Sequence, residues 1–168
     1  DFAVNKHYGP IAIRYPRGSA NDDFKEVETS IEFAKSEFLY TSEDKKIIII
    51  GVGSMLENLK VVYELLLKDG IKTTLVNARF IAPIDVSLLN KIKYDYEYVF
   101  TVEENLISGG FGQSLLYELN KLEVFDKKVY NLGFPKEYIT HATREEILRD
   151  YKLDASGLYD FIKSKIKK

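Results

Sequence analysis

The chain has 168 residues, of which 45% are hydrophobic and 30% are charged, and its formal net charge at pH 7 is −2. This composition is typical of one folded domain with a substantial core, and the small net charge argues against nucleic acid or an acidic membrane as a partner. The absence of cysteine excludes disulfides, thiolate metal sites and a cysteine nucleophile, and it is compatible with the cytoplasmic location that we expect.

The first residues, Asp1-Phe2-Ala3-Val4, are typical of the interior of a protein, and the only methionine is Met55. We therefore expect a segment of a longer polypeptide. Ile11–Arg14 is predicted to be a short strand, because Pro16 and Gly18 would end it. The polar residues 19–30 are interpreted as a linker, so that residues 1–18 end a preceding domain and residues 31–168 form an α/β domain.

After residue 31, strand patterns alternate with helix patterns. The predicted strands are Phe38–Tyr40, Ile47–Ile50, Thr73–Ala78, Tyr98–Val102 and Val129–Leu132. Capping boxes at Ser54–Glu57 and Thr143–Glu146 predict two helix starts, Asp85 and Gly109–Gly112 precede two further helices, and a fifth helix carries the basic end of the chain. This alternation predicts a three-layer α/β fold with a mostly parallel, mixed sheet.

Two glycine-rich turns follow predicted strands. Gly51-Val52-Gly53 has the position of a dinucleotide-binding turn, but Leu56 replaces the third glycine and no acidic residue ends the next strand, so a structural turn is favoured. Glu103 and Glu104 precede the second turn and suggest an acid–base pair or a metal site. Neighbouring strand residues point to opposite faces, however, so we favour carboxylates that lie near the start of a helix.

Neither histidine has a partner at the spacing of a catalytic triad, and His141 is interpreted as a packing or capping residue. The arginines are better candidates for a binding site. Arg79 and Arg17 each follow a predicted strand, at the carboxyl edge where open α/β sheets bind ligands. Arg14 lies within its strand and is expected to form an ion pair, whereas Arg17 is well placed to bind a phosphate, with ordinary surface charge as the alternative.

Several motifs, in the same order along residues 8–160, resemble the C-terminal part of the 1-deoxy-D-xylulose-5-phosphate synthase family. They are Gly9–Gly18, Val76–Phe80, Thr101–Asn105, Gly109–Gly112, Leu132–Pro135, Tyr138–His141 and Leu153–Leu158. The sequence departs from the family at Ala82, where lysine is common, and at Ala142, where glycine is usual.

The resemblance implies a transketolase C-terminal-like fold and a homodimeric transferase that depends on thiamine diphosphate and Mg²⁺. It would condense pyruvate with D-glyceraldehyde 3-phosphate, which feeds isoprenoid, thiamine and pyridoxal synthesis. The cofactor, the metal and the catalytic residues would belong to preceding domains, so the chain alone is expected to be inactive and to bind no cofactor. Arg17 matches the family arginine that binds the aldehyde's phosphate. The alternative is a non-catalytic scaffold or dimerisation domain of another transketolase-like or 2-oxo-acid dehydrogenase β-type protein.

Overall fold

A computed structural model describes residues 1–15 and 30–166 of the chain. Within these ranges a short π-helical turn at Phe2–Lys6 precedes five strands and five α-helices. The strands are β1 (Glu37–Tyr40), β2 (Ile47–Gly51), β3 (Thr74–Asn77), β4 (Tyr98–Leu106) and β5 (Lys128–Phe134). The helices are α1 (Met55–Lys68), α2 (Val86–Asp95), α3 (Phe111–Lys121), α4 (Arg144–Asp150) and α5 (Ala155–Ile166). No helix within the described ranges has the length and apolar character needed to cross a membrane.

The strands form one sheet in the order β1-β3-β2-β4-β5. Strand β1 runs antiparallel to β3, and the other three pairs of neighbours are parallel. The predicted mostly parallel, mixed sheet is therefore confirmed. Gly51, at the end of β2, pairs with Asn77 of β3 and with Val102 of β4. The carboxyl ends of these three parallel strands consequently lie side by side.

The four isoleucines of β2 explain the three layers. Ile47 and Ile49 belong to the core under α1 and α5, whereas Ile48 and Ile50 belong to the core under α2 and α3. All four are at most 5% exposed. Because successive strand residues point to opposite faces, this run requires helices on both sides of the sheet.

Local signals place most of the helix ends. Thr143 accepts a hydrogen bond from the backbone of Glu146 and the Glu146 side chain accepts one from the backbone of Thr143, which confirms the predicted capping box of α4. Asp85 caps α2 through the Ser87 N–H. Gly70 follows α1 with a φ of +76°, a conformation that glycine adopts without strain.

The prediction of a short strand at Ile11–Arg14 is wrong for the described residues. Residues 11–14 form no strand, because the backbone of a strand needs a paired neighbour and the described sheet begins at β1. Pro16, Arg17, Gly18 and most of the predicted linker lie outside the described residues. The division into residues 1–18, 19–30 and 31–168 therefore stays a prediction.

Candidate functional site

The carboxyl edge of the sheet carries two adjacent glutamates at the end of β4, and they face different surroundings. Glu103 is 1% exposed, and its carboxylate accepts hydrogen bonds from the N–H groups of Phe111 at 2.9 Å and of Gly112 at 3.0 Å. These N–H groups open α3, where the helix dipole favours a negative charge. Glu103 thus holds the start of α3 against the sheet, in agreement with the structural interpretation of the glycine turn.

The close packing of the start of α3 on the sheet also requires glycine at position 112. A Cβ atom there would collide with the hydroxyl of Thr101 and with the side-chain amide of Asn131. These two side chains are themselves joined by a 2.8 Å hydrogen bond between neighbouring strands. The glycine turn therefore allows α3 to pack closely on the sheet. The Glu103 carboxylate is occupied by its hydrogen bonds to the N–H groups at the start of that helix.

Glu104 points to the opposite side and forms a separate network. Its carboxylate accepts a 2.8 Å hydrogen bond from the Ser54 hydroxyl and bonds of 2.9 and 3.0 Å from Arg144 Nε. Arg144 Nη2 also lies 2.8 Å from Glu104 Oε2. Both side chains are about one-third exposed or less, and the hydrogen bond to Glu104 raises the pKa of the Arg144 guanidinium. The two glutamates therefore do not form an acid–base pair.

The predicted capping box at Ser54 is wrong. Ser54 has helical backbone angles, unlike the extended backbone of an N-cap residue, and its side chain makes no capping bond to α1. Its hydroxyl donates to Glu104. The preceding turn is structural, as predicted: a Cβ atom on Gly51 would lie 2.7 Å from side-chain carbons of Leu56 and Leu59. Leu56 thus fills the space next to Gly51.

Arg79, the first of the two predicted anion-binding candidates, forms an ion pair within the sheet. Its Nη2 lies 2.7 Å from Glu37 Oε1, and its side chain is 16% exposed. Its backbone adopts a φ of +54°, and its N–H donates to the side chain of Asn77 at 3.1 Å. Arg79 therefore ties the edge strand β1 to the end of β3, which gives it a structural role.

The second candidate, Arg17, lies outside the described residues, but Arg14 of the same motif is described. Arg14 Nη2 donates a 2.9 Å hydrogen bond to the main-chain oxygen of Glu104. Among residues 1–15 and 30–166, Arg14 makes this bond to a carbonyl and not the ion pair that we expected for it. It brings the N-terminal segment to the carboxyl edge of the sheet.

The histidines take no part in this edge of the sheet. His7 stacks on Phe33, with ring centroids 5.2 Å apart. His141 is exposed, and the helix that follows it is capped by Thr143, so the interpretation of His141 as a packing or capping residue is wrong.

Sequence reasoning missed Arg144 and the Glu104 network. One signal was available, because an arginine in the first turn of a helix is unfavourable for the helix dipole unless a carboxylate compensates for it. The compensating carboxylate lies 40 residues earlier in the chain, and no local pattern points to it.

Comparisons with known proteins agree with this architecture. The transketolase C-terminal domain family matches residues 36–158. The chain is 37% identical, over 94% of its length, to the 1-deoxy-D-xylulose-5-phosphate synthase of Clostridium acetobutylicum, and it covers 25% of that protein. It is 36% identical, over 98% of its length, to the synthase of the same name from Natranaerobius thermophilus, again covering 25%. The chain therefore spans about a quarter of the length of these relatives.

Solved structures share the fold. A split-gene transketolase, described as an inactive beta4 tetramer, matches with a TM-score of 0.72 and 23% identity over 82% of this chain and 44% of that one. The transketolase of Campylobacter jejuni matches with a TM-score of 0.54 and 18% identity over 78% of this chain and 18% of that one. Together with the family match over residues 36–158, these findings establish that the chain belongs to the transketolase C-terminal domain family.

Proposed function

We propose that this chain is the C-terminal part of a thiamine-diphosphate-dependent 1-deoxy-D-xylulose-5-phosphate synthase. The whole protein decarboxylates pyruvate and joins the two-carbon unit to D-glyceraldehyde 3-phosphate, with release of carbon dioxide. The product serves isoprenoid, thiamine and pyridoxal synthesis. The observation that carries the proposal is the 37% identity to the Clostridium acetobutylicum protein of this name along 94% of the chain.

The cofactor is assigned to another part of the polypeptide. A diphosphate bound through Mg²⁺ needs a set of oxygen ligands around the metal. In residues 1–15 and 30–166, no three His, Cys, Asp or Glu side chains lie together in a way that would hold a metal ion. As the family resemblance implies, we assign thiamine diphosphate, Mg²⁺ and the catalytic residues to domains that precede this chain, and we assign a cytoplasmic homodimer to the whole protein.

Within this chain we assign substrate binding to Arg17, which binds the phosphate of D-glyceraldehyde 3-phosphate. A guanidinium offers paired N–H donors that match phosphate oxygens. Arg14, three residues earlier, is bonded at the carboxyl edge of the sheet, the edge at which open α/β sheets bind their ligands. The position of Arg14 thus supports the assignment of Arg17.

Replacement of Arg17 by alanine in the full-length protein tests both assignments. We expect kcat/KM for D-glyceraldehyde 3-phosphate to fall about 100-fold, the loss expected for a charged phosphate contact, with KM for pyruvate unchanged. Synthesis of 1-deoxy-D-xylulose 5-phosphate is measured at varied concentrations of each substrate. Arg149→Ala is the control, because Arg149 is an exposed arginine in the last turn of α4.

The outcomes separate the two assignments. A full-length protein that makes no 1-deoxy-D-xylulose 5-phosphate from these substrates would contradict the proposed reaction. An active protein in which Arg17→Ala and Arg149→Ala have the same aldehyde kinetics would contradict the role of Arg17 alone.

A further inference from the structure

The last strand of the sheet, β5, has an open outer edge. Within the described residues β5 pairs with β4 and with no other strand. The N–H of Lys128 donates to the main-chain oxygen of Glu97, on the β4 side, at 2.9 Å. Because backbone groups alternate in direction along a strand, the N–H and C=O groups of Val129, Asn131 and Gly133 point away from β4. No hydrogen bond among the described residues uses these outward main-chain groups, so the edge is available to a further strand.

A groove of about 200 Å³ follows the second half of this edge. Residues 131–133 of β5 line it together with Tyr151 and Phe161, which lie on the side of α5. Ile107 lines it on the other face of the strand, the face towards which a Cβ atom on Gly133 would point. A strand added to β5 would therefore place its alternate side chains against apolar residues on both faces of the sheet.

The wall of the groove on the α5 side is held by contacts within the fold. The hydroxyl of Tyr151 donates to Glu137 at 2.8 Å, and Leu153 is only 2% exposed. A Cβ atom on Gly157 would lie 2.6 Å from the main-chain oxygen of Lys152, so the first turn of α5 packs directly on the turn that precedes it. A groove that is already formed lowers the cost of ordering the protein when a ligand binds.

The charged side chains at the groove indicate the charge of its ligand. Lys152 is exposed and is the charged member of the set of residues that line the groove. The Nζ atom of Lys165 lies 5.0 Å from the ring centroid of Phe161 and 5.5 Å from that of Tyr130. Neither lysine forms an ion pair with another residue in 1–15 or 30–166. Glu137, a carboxylate beside the groove, already accepts a tyrosine hydroxyl, so the groove is complementary to an acidic ligand.

We propose that the open edge of β5 and its groove form a docking site for an acidic, extended peptide segment of a partner protein, which adds to the five-stranded sheet as a further strand. Main-chain hydrogen bonds would supply affinity, and the apolar walls and the two lysines would supply specificity. The site lies outside the part of the chain to which we assign substrate binding.

A second copy of the chain is a poorer ligand for this edge. A twofold contact between two β5 edges would bring the same surface of each copy together, and with it Lys152 and Lys165 of both. Like charges placed opposite one another weaken such a contact. The N-terminal segment, for its part, makes its aromatic contacts with Phe33 and Phe80, which flank β1 and β3 on the other side of the sheet.

Fluorescence anisotropy of a labelled peptide tests the site in the full-length protein. The probe is a short peptide of alternating glutamate and valine with blocked termini, and a peptide of alternating lysine and valine is its matched control. We expect saturable binding of the acidic peptide, at least about tenfold tighter than that of the basic peptide and weakened by salt. An acidic peptide with a fully N-methylated backbone should not bind, because it keeps the side chains but has no N–H donors for β5.

Two pairs of variants locate the binding on β5. Val129→Pro removes an outward N–H, which an edge strand tolerates, and should weaken binding about fivefold relative to Val129→Ala, which loses the same packing but keeps the donor. Lys152→Glu should weaken binding about tenfold, whereas Lys72→Glu, at an exposed lysine before β3, should leave it unchanged.

The proposal would be overturned by equal affinity for the acidic and basic peptides, by binding of the N-methylated peptide, or by equal affinities of Lys152→Glu and Lys72→Glu. Hydrogen exchange at single amides tests whether the edge is open. The amides of Asn131 and Gly133 should exchange rapidly in the full-length protein and become protected when the acidic peptide is added. Protection before any peptide is added would show that another domain or a second copy already covers β5, and the proposal would then be wrong.

Discussion

Replacement of Asp85 by asparagine is expected to destabilise the fold by about 2–3 kcal/mol at neutral pH. Asp85 is 4% exposed, and its carboxylate joins the start of α2 to the residue before β1. One oxygen accepts from the N–H and hydroxyl of Ser87 at 2.8 and 2.6 Å, and the other accepts from the N–H and hydroxyl of Ser36 at 3.0 and 2.8 Å. An asparagine at this position would place its side-chain NH₂ group, a donor, against the N–H and hydroxyl donors of either Ser87 or Ser36, and those donors would lose their acceptor.

The magnitude follows from the pKa of Asp85. Burial by itself raises the pKa of this carboxyl, but the hydrogen bonds from Ser87 and Ser36 together outweigh burial and lower the pKa from 3.8 to about 2. At about 1.4 kcal/mol per pKa unit, this lowering corresponds to about 2.5 kcal/mol. Because the folded-state pKa is lowered, the stabilisation is complete well above pH 4 and declines as the pH falls towards about 2, with roughly half of it left near pH 3.

Urea denaturation of the 168-residue chain, followed by circular dichroism, measures this effect. The difference in free energy of unfolding between the native sequence and Asp85→Asn should be largest at neutral pH and should shrink by about half near pH 3. Asp160→Asn is the control, because Asp160 is an exposed residue of α5. Equal effects of the two substitutions at neutral pH, or a loss for Asp85→Asn that does not change with pH, would refute the reasoning.

Two substitutions test the packing at the carboxyl edge of the sheet. Gly112→Ala should lower the free energy of unfolding by about 2–3 kcal/mol, because its Cβ would collide with Thr101 and Asn131. Gly53→Ala lies in open space at a φ of +57° and should cost about 1 kcal/mol through backbone strain alone. Equal melting temperatures for the two variants would contradict this explanation. Ser54→Ala should cost about 1 kcal/mol in the native sequence and much less in a Glu104→Ala background, since Ser54 donates to the Glu104 carboxylate and alanine has no acceptor. The same loss in both backgrounds, measured by urea denaturation, would instead indicate that Ser54 caps α1.

The parts of the fold that the sequence predicted are those that depend on local patterns. The run Ile47–Ile50 predicted a strand covered on both faces because alternation places its side chains in two cores. Thr143 predicted a helix start because both partners of a capping box lie within one turn. In each case the interacting groups are either close in sequence or determined by the period of the element.

The predictions that failed depend on groups that are distant in sequence. Ser54 satisfies the pattern of a capping box with Glu57, but its backbone is helical and its hydroxyl donates to Glu104, a contact that no local pattern contains. Ile11–Arg14 satisfies the pattern of a strand but has no paired neighbour in the described sheet. A single sequence does not reveal which distant partner is present, and both errors arise from this.

Reasoning from strand ends selected both Arg79 and Arg17, whereas the family motif selects Arg17 alone, and the contacts at the carboxyl edge of the sheet show what Arg79 does instead. The charged side chains of the sheet itself serve the fold there: Glu103 holds the start of α3, Glu104 holds Ser54 and Arg144, and Arg79 pairs with Glu37. A side chain committed to such a contact would have to break it before it could bind a phosphate, at the cost of leaving a partly buried charge unpaired. The charged side chains at the edge of the sheet are thus committed to the fold, and the described N-terminal segment reaches the same edge through the hydrogen bond from Arg14 to the Glu104 main chain.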